Sequence, residues 1–391
     1  MKERIDVMKP WLGPEESAAV AEVIASGWVA QGPKTAEFER AFAARQGVEH
    51  GVATSSCTAA LHLALLVAGV GPGDDVVVPS FSFIATANAP TYVGARPVFA
   101  DVEPETGNVT AETVAAVLTP ATRAVIAVDQ GGMPVDLDPL RRLCDEAGLV
   151  LIEDAACGVG STHRGSPVGT GADVTAWSFH PRKILTTGEG GMLTTNRADW
   201  ADRARRLREH AMDVSAAERH RTLLAPQETY TEIGFNYRMT DVQAAIGLVQ
   251  LGRLDAMVAR RRELVDVYRA ALGDLPLRLI DDPAWGTSNF QSFWIEVLPH
   301  FPVDREGLLE RLAAAGISAR RGIMAAHRQP AHADPALSLP VTERLTDTTL
   351  ILPLHHGLDA DSMERIISAI RAAGTDTLGQ STPAYSAGAV S

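Results

Sequence analysis

The amino-acid sequence predicts an α/β fold: a large domain with a mainly parallel central sheet flanked by helices, then a smaller C-terminal α+β domain. Three observations predict it. Short β-branched runs recur as "DVVVPS" (75–80), "RPVFADV" (96–102), "RAVIAV" (123–128), "LVLIED" (149–154) and "DVTAWSF" (173–179). Between them, segments 57–70, 82–94 and 136–147 place apolar residues three and four apart, the spacing of one helical face. The runs are apolar on both faces, as strands are when helices cover a parallel sheet from both sides. After "GFNYRMTD" a long helix over about 240–272 leaves this alternation and leads into the smaller part. The expected division is 1–245 for the large domain, 246–373 for the small one and a disordered tail, small and polar, at 374–391.

With 391 residues, 46% hydrophobic and 21% charged, the chain is long enough to bury a large core. A formal charge of −13 opposes nucleic-acid binding, which needs a basic surface, so an anionic ligand must meet a local basic pocket. Cys57, Cys144 and Cys157 are odd in number and lack C-x-x-C spacing, which argues against a disulfide framework and against a zinc site. No metal is expected. The opening "MKERIDVMKPW" lacks the apolar core of a signal peptide, and no apolar run approaches the roughly 18 residues of a membrane span. Residence in a reducing cytoplasm is the expectation.

In parallel sheets ligands collect at the carboxyl ends of the strands, and here those ends carry chemistry. "LVLIEDAACG" runs an apolar strand into Asp154, a carboxylate that needs a cation or strong donors, although an ion pair or a helix N-cap would serve it equally. "SFHPRKILTTGEGGML" (178–193) sets Lys183 between a β-type run and a glycine-rich turn, either as an amine in a site or as an exposed loop lysine. "ATSSCTAALHLALL" (53–66) reads as strand, hydroxyl cluster and helix, so Thr58 and the first-turn amides could hold a phosphate, or merely cap the helix. Phe83, after the strand of "PSFSF", offers a ring to cover a flat heterocycle or to pack in the core. An amine, a carboxylate, a phosphate cup and an aromatic face together are what pyridoxal 5'-phosphate requires.

Over residues 5–373 the chain resembles the DegT/DnrJ/EryC1/StrS sugar aminotransferases, PLP-dependent enzymes of fold type I. Eight stretches carry the resemblance in order, among them "SSCTAALHLAL", "VPSFSFIATANA", "LIEDAACGVGS", "WSFHPRKILTTGEGGML" and "EIGFNYRMTDVQAAIGLVQL". The resemblance implies that Lys183 forms the Schiff base and acts as nucleophile and proton shuttle, with Asp154 as partner of the pyridine nitrogen. It implies that Thr58, the Ala59 amide and Ser178 hold the phosphate, that Phe83 covers a ring face, and that Cys157 borders the cofactor. Asn236 would reach the phosphate from the second subunit of a homodimer. Cys157 stands where the family often has Gln or His, Asp129 where many members have His, and Cys57 where Gly is common.

The resemblance also implies an amino-acid donor, glutamate, and a nucleotide-diphosphate keto sugar as acceptor. The His-Pro-x-Lys form of "SFHPRKILTTGEGG" is similar to that of members making 4-amino sugars, which implies a 4-keto-6-deoxy hexose. Alternatives are a 3-keto sugar, a keto-cyclitol, or a non-catalytic PLP-binding regulator. Arg320, Arg321, His327 and Arg328, in "ARRGIMAAHRQP" (319–330), either meet the diphosphate or form a solvated basic surface.

Overall fold

The structure, a computed structural model, describes residues 3–213 and 227–375. Two helices, α1 (Pro14–Ser26) and α2 (Pro33–Gln46), precede the alternating region. There follow β1 (His50–Thr54), α3 (Cys57–Val67), β2 (Asp75–Pro79), α4 (Ile84–Tyr92), β3 (Arg96–Ala100), α5 (Ala111–Ala115), β4 (Thr122–Val128), α6 (Leu137–Ala147) and β5 (Val150–Asp154). After the short β6 (Thr162–His163) and β7 (Ser166–Pro167) come β8 (Val174–Ser178), β9 (Gly191–Thr195) and α7 (Ala198–Leu207). The expected strands and helices all form, within a few residues of their expected ends.

Seven strands make one sheet in the order β1-β9-β8-β5-β4-β2-β3. β8, β5, β4, β2 and β3 run parallel, and β9 pairs antiparallel with both β1 and β8. β2 and β8 are buried along their whole length, and α3 is apolar nearly all round because it is buried too. The reversed β9 opens on Gly191, where a β-carbon would lie 2.5 Å from the Ser56 carbonyl oxygen and 2.6 Å from the Cys57 nitrogen. Only glycine lets this strand start against the head of α3.

The long helix is Asp241–Leu272, opened by a capping box between Thr240 and Gln243. An 18-residue window in it reaches a mean hydropathy of 1.2, long and apolar enough to cross a membrane by composition, which corrects the expectation that no stretch comes near a span. Packing covers part of it: α1 and α2 lie on this helix and Gly247 admits the Phe38 ring, with 33% of that window buried. Asp241 also caps α2 from a distance, accepting from the Gly32, Lys34 and Thr35 amides at 2.8 to 3.0 Å.

β10 (Leu277–Leu279), β12 (Phe293–Val297), β14 (Thr349–Leu352) and β13 (Arg320–Arg321) form a second, antiparallel sheet, while β11 (Gly286–Thr287) pairs with β6. Helices Arg305–Ala314, Pro340–Thr348 and Ala360–Thr375 accompany it. One apolar cluster joins Val77, Val125 and Leu151 of the large sheet to Phe293, Leu350 and Ile366 of this region. The last helix includes 374 and 375, two positions assigned to the disordered tail, and the rest of that expected tail lies outside the described residues.

Glu153 is fully buried on the large sheet; its Oε1 has no hydrogen-bond partner, and Oε2 accepts weakly from Thr175 at 3.4 Å. Asp129, two residues beyond Glu153's partner Ala127, is equally buried with Oδ2 unpartnered. Burial pushes Glu153 up to about 7, and burial followed by Glu153's charge pushes Asp129 up as well. A carboxyl whose folded pKa exceeds its unfolded one adds stability that is full below the unfolded value and is lost as pH rises through the folded one. For Glu153 that window runs from 4.5 to about 7. Urea unfolding should therefore show stability falling between pH 5 and 7, and Glu153→Gln should flatten the fall by about 1–3 kcal/mol. An unchanged slope in the variant would move the titration elsewhere.

Candidate active site

Parallel strands bring distant residues to one edge. The segments after β1, β2, β4, β5 and β8 hold Ser56 to Thr58, Phe83, Asp129, Asp154 to Cys157, and Ser178 to Lys183. β9 begins at the same edge because it runs the other way.

Lys183, half-buried, donates from Nζ to Cys157 Sγ at 3.1 Å. Burial disfavours its charge, but Cys157 first, then Cys57 and Asp154, outweigh burial and hold its pKa above the ordinary lysine value. Asp154 is buried; its Oδ2 accepts from Thr86 Oγ1 at 2.8 Å and its Oδ1 from the Ala156 amide at 3.2 Å. Cys57 points its thiol at the same Oδ1 from 3.9 Å, and burial, then the Asp154 charge, push that thiol well up. Burial also lifts Asp154 above the ordinary value, against the pull of Thr86, Ala156 and Lys183. Asp154 caps no helix, since turns rather than a helix follow β5.

At the head of α3 the N-cap is Ser56, whose Oγ accepts from the Ala59 amide at 3.1 Å. The amide expected at a phosphate is held here by the serine cap, because a serine at N-cap reaches the third helical amide. Thr58 sits half-buried in that first turn, whose amides have no intrahelical acceptor, and Ser178 is buried at the end of β8. Phe83 stands at the N-cap of α4 with 54% of its surface exposed, which excludes core packing and leaves a ring free to cover a ligand. Asn236 is exposed, its backbone bridged to Glu209.

Three positioning groups gave no signal in the sequence. Thr86 is one, a hydroxyl one turn into α4. Asn289 and Gln291 are the others, more than a hundred residues from what they hold. Asn289 Nδ2 donates to the Cys157 and Val159 carbonyls, both at 2.7 Å. Gln291 Oε1 accepts from the Ile184 amide at 2.7 Å, and its Nε2 donates to the Arg182 carbonyl at 2.6 Å. The loops of Cys157 and Lys183 are thus pinned from one tripeptide.

Beside Lys183 opens a small pocket lined by Lys9, Trp11, Met257, Arg261 and His356, with no carboxylate among its lining residues. Trp11 stacks on His356 at 4.7 Å. The basic segment 319–330 behaves differently. Arg321 pairs with Glu306, and Arg328 with Glu343 and Asp347. His327 is buried, with Nδ1 2.6 Å from Ser80 Oγ. Acidic side chains of helices Arg305–Ala314 and Pro340–Thr348 thus pair with these two arginines at the surface, and Arg320 is exposed beside them.

The donor set fits pyridoxal phosphate. Asp154 retains acceptor capacity beyond Thr86, Ala156 and Cys57, since an ionised carboxylate takes about four hydrogen bonds. Its raised pKa marks a buried anion to which a charged pyridine nitrogen would be a partner. The Lys183 amine bonds to sulfur rather than to a carboxylate, so no ion pair withholds it from a carbonyl. Thr58, Ser178 and the head of α3 supply hydroxyls and amides for a phosphate.

The DegT/DnrJ/EryC1/StrS aminotransferase family model matches residues 10–371. The aminotransferase TlmJ from Streptoalloteichus hindustanus is similar at 41% identity and a TM-score of 0.88, over 94% of this chain and 98% of that one. DesV from S. venezuelae, solved in complex with a ketimine intermediate, is 32% identical with a TM-score of 0.87, over 96% and 100%. Spr1654 from Streptococcus pneumoniae, solved in PLP and PMP forms, is 27% identical in the PMP form with a TM-score of 0.89, over 95% and 99%. With its strand-end lysine and carboxylate at the edge where these folds place their chemistry, the chain belongs to the DegT/DnrJ/EryC1/StrS family and is a PLP-dependent aminotransferase of fold type I.

Proposed function

We propose that the enzyme transfers the amino group of glutamate to a nucleotide-diphosphate keto sugar, a 4-keto-6-deoxy hexose aminated at C4. The observation that carries this reading is the pocket beside Lys183: in a chain of charge −13, it gathers the cations Lys9 and Arg261 and no acid. Lys9 and Arg261 supply charge that would draw a donor's second carboxylate toward Lys183, and the exposed Arg320 remains for a diphosphate. The choice of carbon rests on the likeness of "SFHPRKILTTGEGG" to members that make 4-amino sugars.

In this reading bound PLP supplies the electron sink. Lys183 Nζ takes the proton from the donor's Cα as free amine and returns it as ammonium. Asp154 keeps the pyridine nitrogen charged, its own geometry fixed by Thr86. Phe83 would cover the ring, the Thr58 and Ser178 hydroxyls would take phosphate oxygens, and Asn236 would reach the phosphate of the second subunit in a homodimer.

Three outcomes are expected. The purified protein absorbs at about 410–430 nm, and borohydride fixes the cofactor on the peptide containing Lys183; a label on another lysine sinks the assignment. Mixed Lys183→Ala and Asn236→Ala subunits, each inactive alone, recover about a quarter of wild-type activity through one intact site per heterodimer. No recovery would mean that Asn236 does not serve the neighbouring subunit. Incubation with glutamate and a nucleotide-linked 4-keto-6-deoxyglucose yields a 4-amino sugar and 2-oxoglutarate, assigned by NMR. Turnover of a 3-keto sugar or a keto-cyclitol alone would reject the acceptor and leave the aminotransferase standing.

A further inference from the structure

We propose that Cys157 and Lys183 form a covalent modification site, at which a hydroperoxide oxidant joins the two side chains through a reversible sulfur–nitrogen bond. Cys157 Sγ lies 3.1 Å from Lys183 Nζ. The approach is built into the backbone, because Asn289 holds the Cys157 carbonyl and Gln291 holds the carbonyl and amide on either side of Lys183. The other two thiols have no such neighbour. Cys57 faces the Asp154 carboxylate, and Cys144 is fully buried on the inner face of α6. Cys157 is half-buried at the edge where substrates must enter, so a small oxidant reaches it.

The chemistry balances with the oxidant as the only co-reactant. The hydroperoxide transfers one oxygen to sulfur, leaving as an alcohol or water, and Cys157 becomes a sulfenic acid. The Lys183 ammonium first gives one proton to solvent, and its lone pair then attacks that sulfur; the S–N bond forms, the S–O bond breaks, and the departing hydroxide takes a second proton from nitrogen to leave as water. Two external thiols reverse the step by becoming one disulfide and returning thiol and amine. The bond requires an uncommitted lysine nitrogen, so the enzyme with its cofactor linked to Lys183 is protected. That protection rests on the role proposed for Lys183, whereas the bond rests on the geometry alone.

The test is peptide mapping of the full-length chain, without cofactor and with PLP bound, after hydrogen peroxide and alkylation of the remaining thiols. In the cofactor-free chain the peptides of Cys157 and Lys183 should be joined with the loss of two hydrogens, and dithiothreitol should separate them. Cys57→Ser should keep the cross-link and Cys157→Ser should lose it. Cys157 oxidised to sulfinic acid beside an unlinked Lys183, a Cys57–Cys157 disulfide, or no modification would overturn the proposal, and the wild-type map decides this whether or not either variant folds. PLP should slow the cross-link at least about tenfold. A cross-link formed equally fast with PLP bound would keep the site and refute the role of Lys183.

Discussion

Two side-chain amides, Asn289 and Gln291, fix the relation between the loops that carry the chemistry. The segments after β5 and β8 turn without regular structure, so their peptide groups need partners from elsewhere. Asn289 and Gln291 each satisfy two or more of them, and between the pair Phe290 adopts φ 48°. A left-handed conformation is unfavourable for a bulky residue and persists only where the surroundings impose it. Here the surroundings are close: Phe290 is buried, Arg262 and Arg269 lie over its ring, and Arg261 donates to its carbonyl at 3.0 Å. The long helix thus holds the strained tripeptide, and the tripeptide holds Cys157 and Lys183.

The sheet sets the other half of the geometry. Parallel strands deliver their carboxyl ends to one edge, and the single reversed strand feeds the glycine-rich turn back to that edge. The edge accumulates buried acids, which are costly without partners. Asp154 is solved by hydroxyl and amide donors, with capacity left for a cation. Asp129 and Glu153 are solved by titration, their raised pKa values letting a proton replace the missing partners.

What the sequence revealed follows from the range of each interaction. Strands and helices of the alternating region were legible because burial on both faces writes itself into consecutive residues, and Lys183 and Asp154 were legible because charged groups after apolar runs need explaining. The hydroxyl cluster announced a cap without saying which member reaches the third amide, and it is Ser56. Arg321 and Arg328 read as open cations only while Glu306, Glu343 and Asp347 were out of sight, on helices of the second region. Thr86, Asn289 and Gln291 carry no pattern at all, since a polar residue in a loop looks the same whether it holds a site or faces water.

The charge of the chain and the charge of its pocket point in opposite directions, and that contrast is itself selective. Lys9, Lys183 and Arg261 come from three separate stretches, so their local positive field exists only in the folded chain, while burial holds the His356 ring below the usual histidine range and so neutral. Arg261 is fully buried, donates to two backbone carbonyls and has its pKa lowered by burial to about 10, which still leaves it charged near neutrality. An anion that enters meets cations at short range, where the low dielectric makes each worth more than in water. The neighbours of the Lys183 amine decide its chemistry: Cys157 by contact, Cys57 and Asp154 by charge.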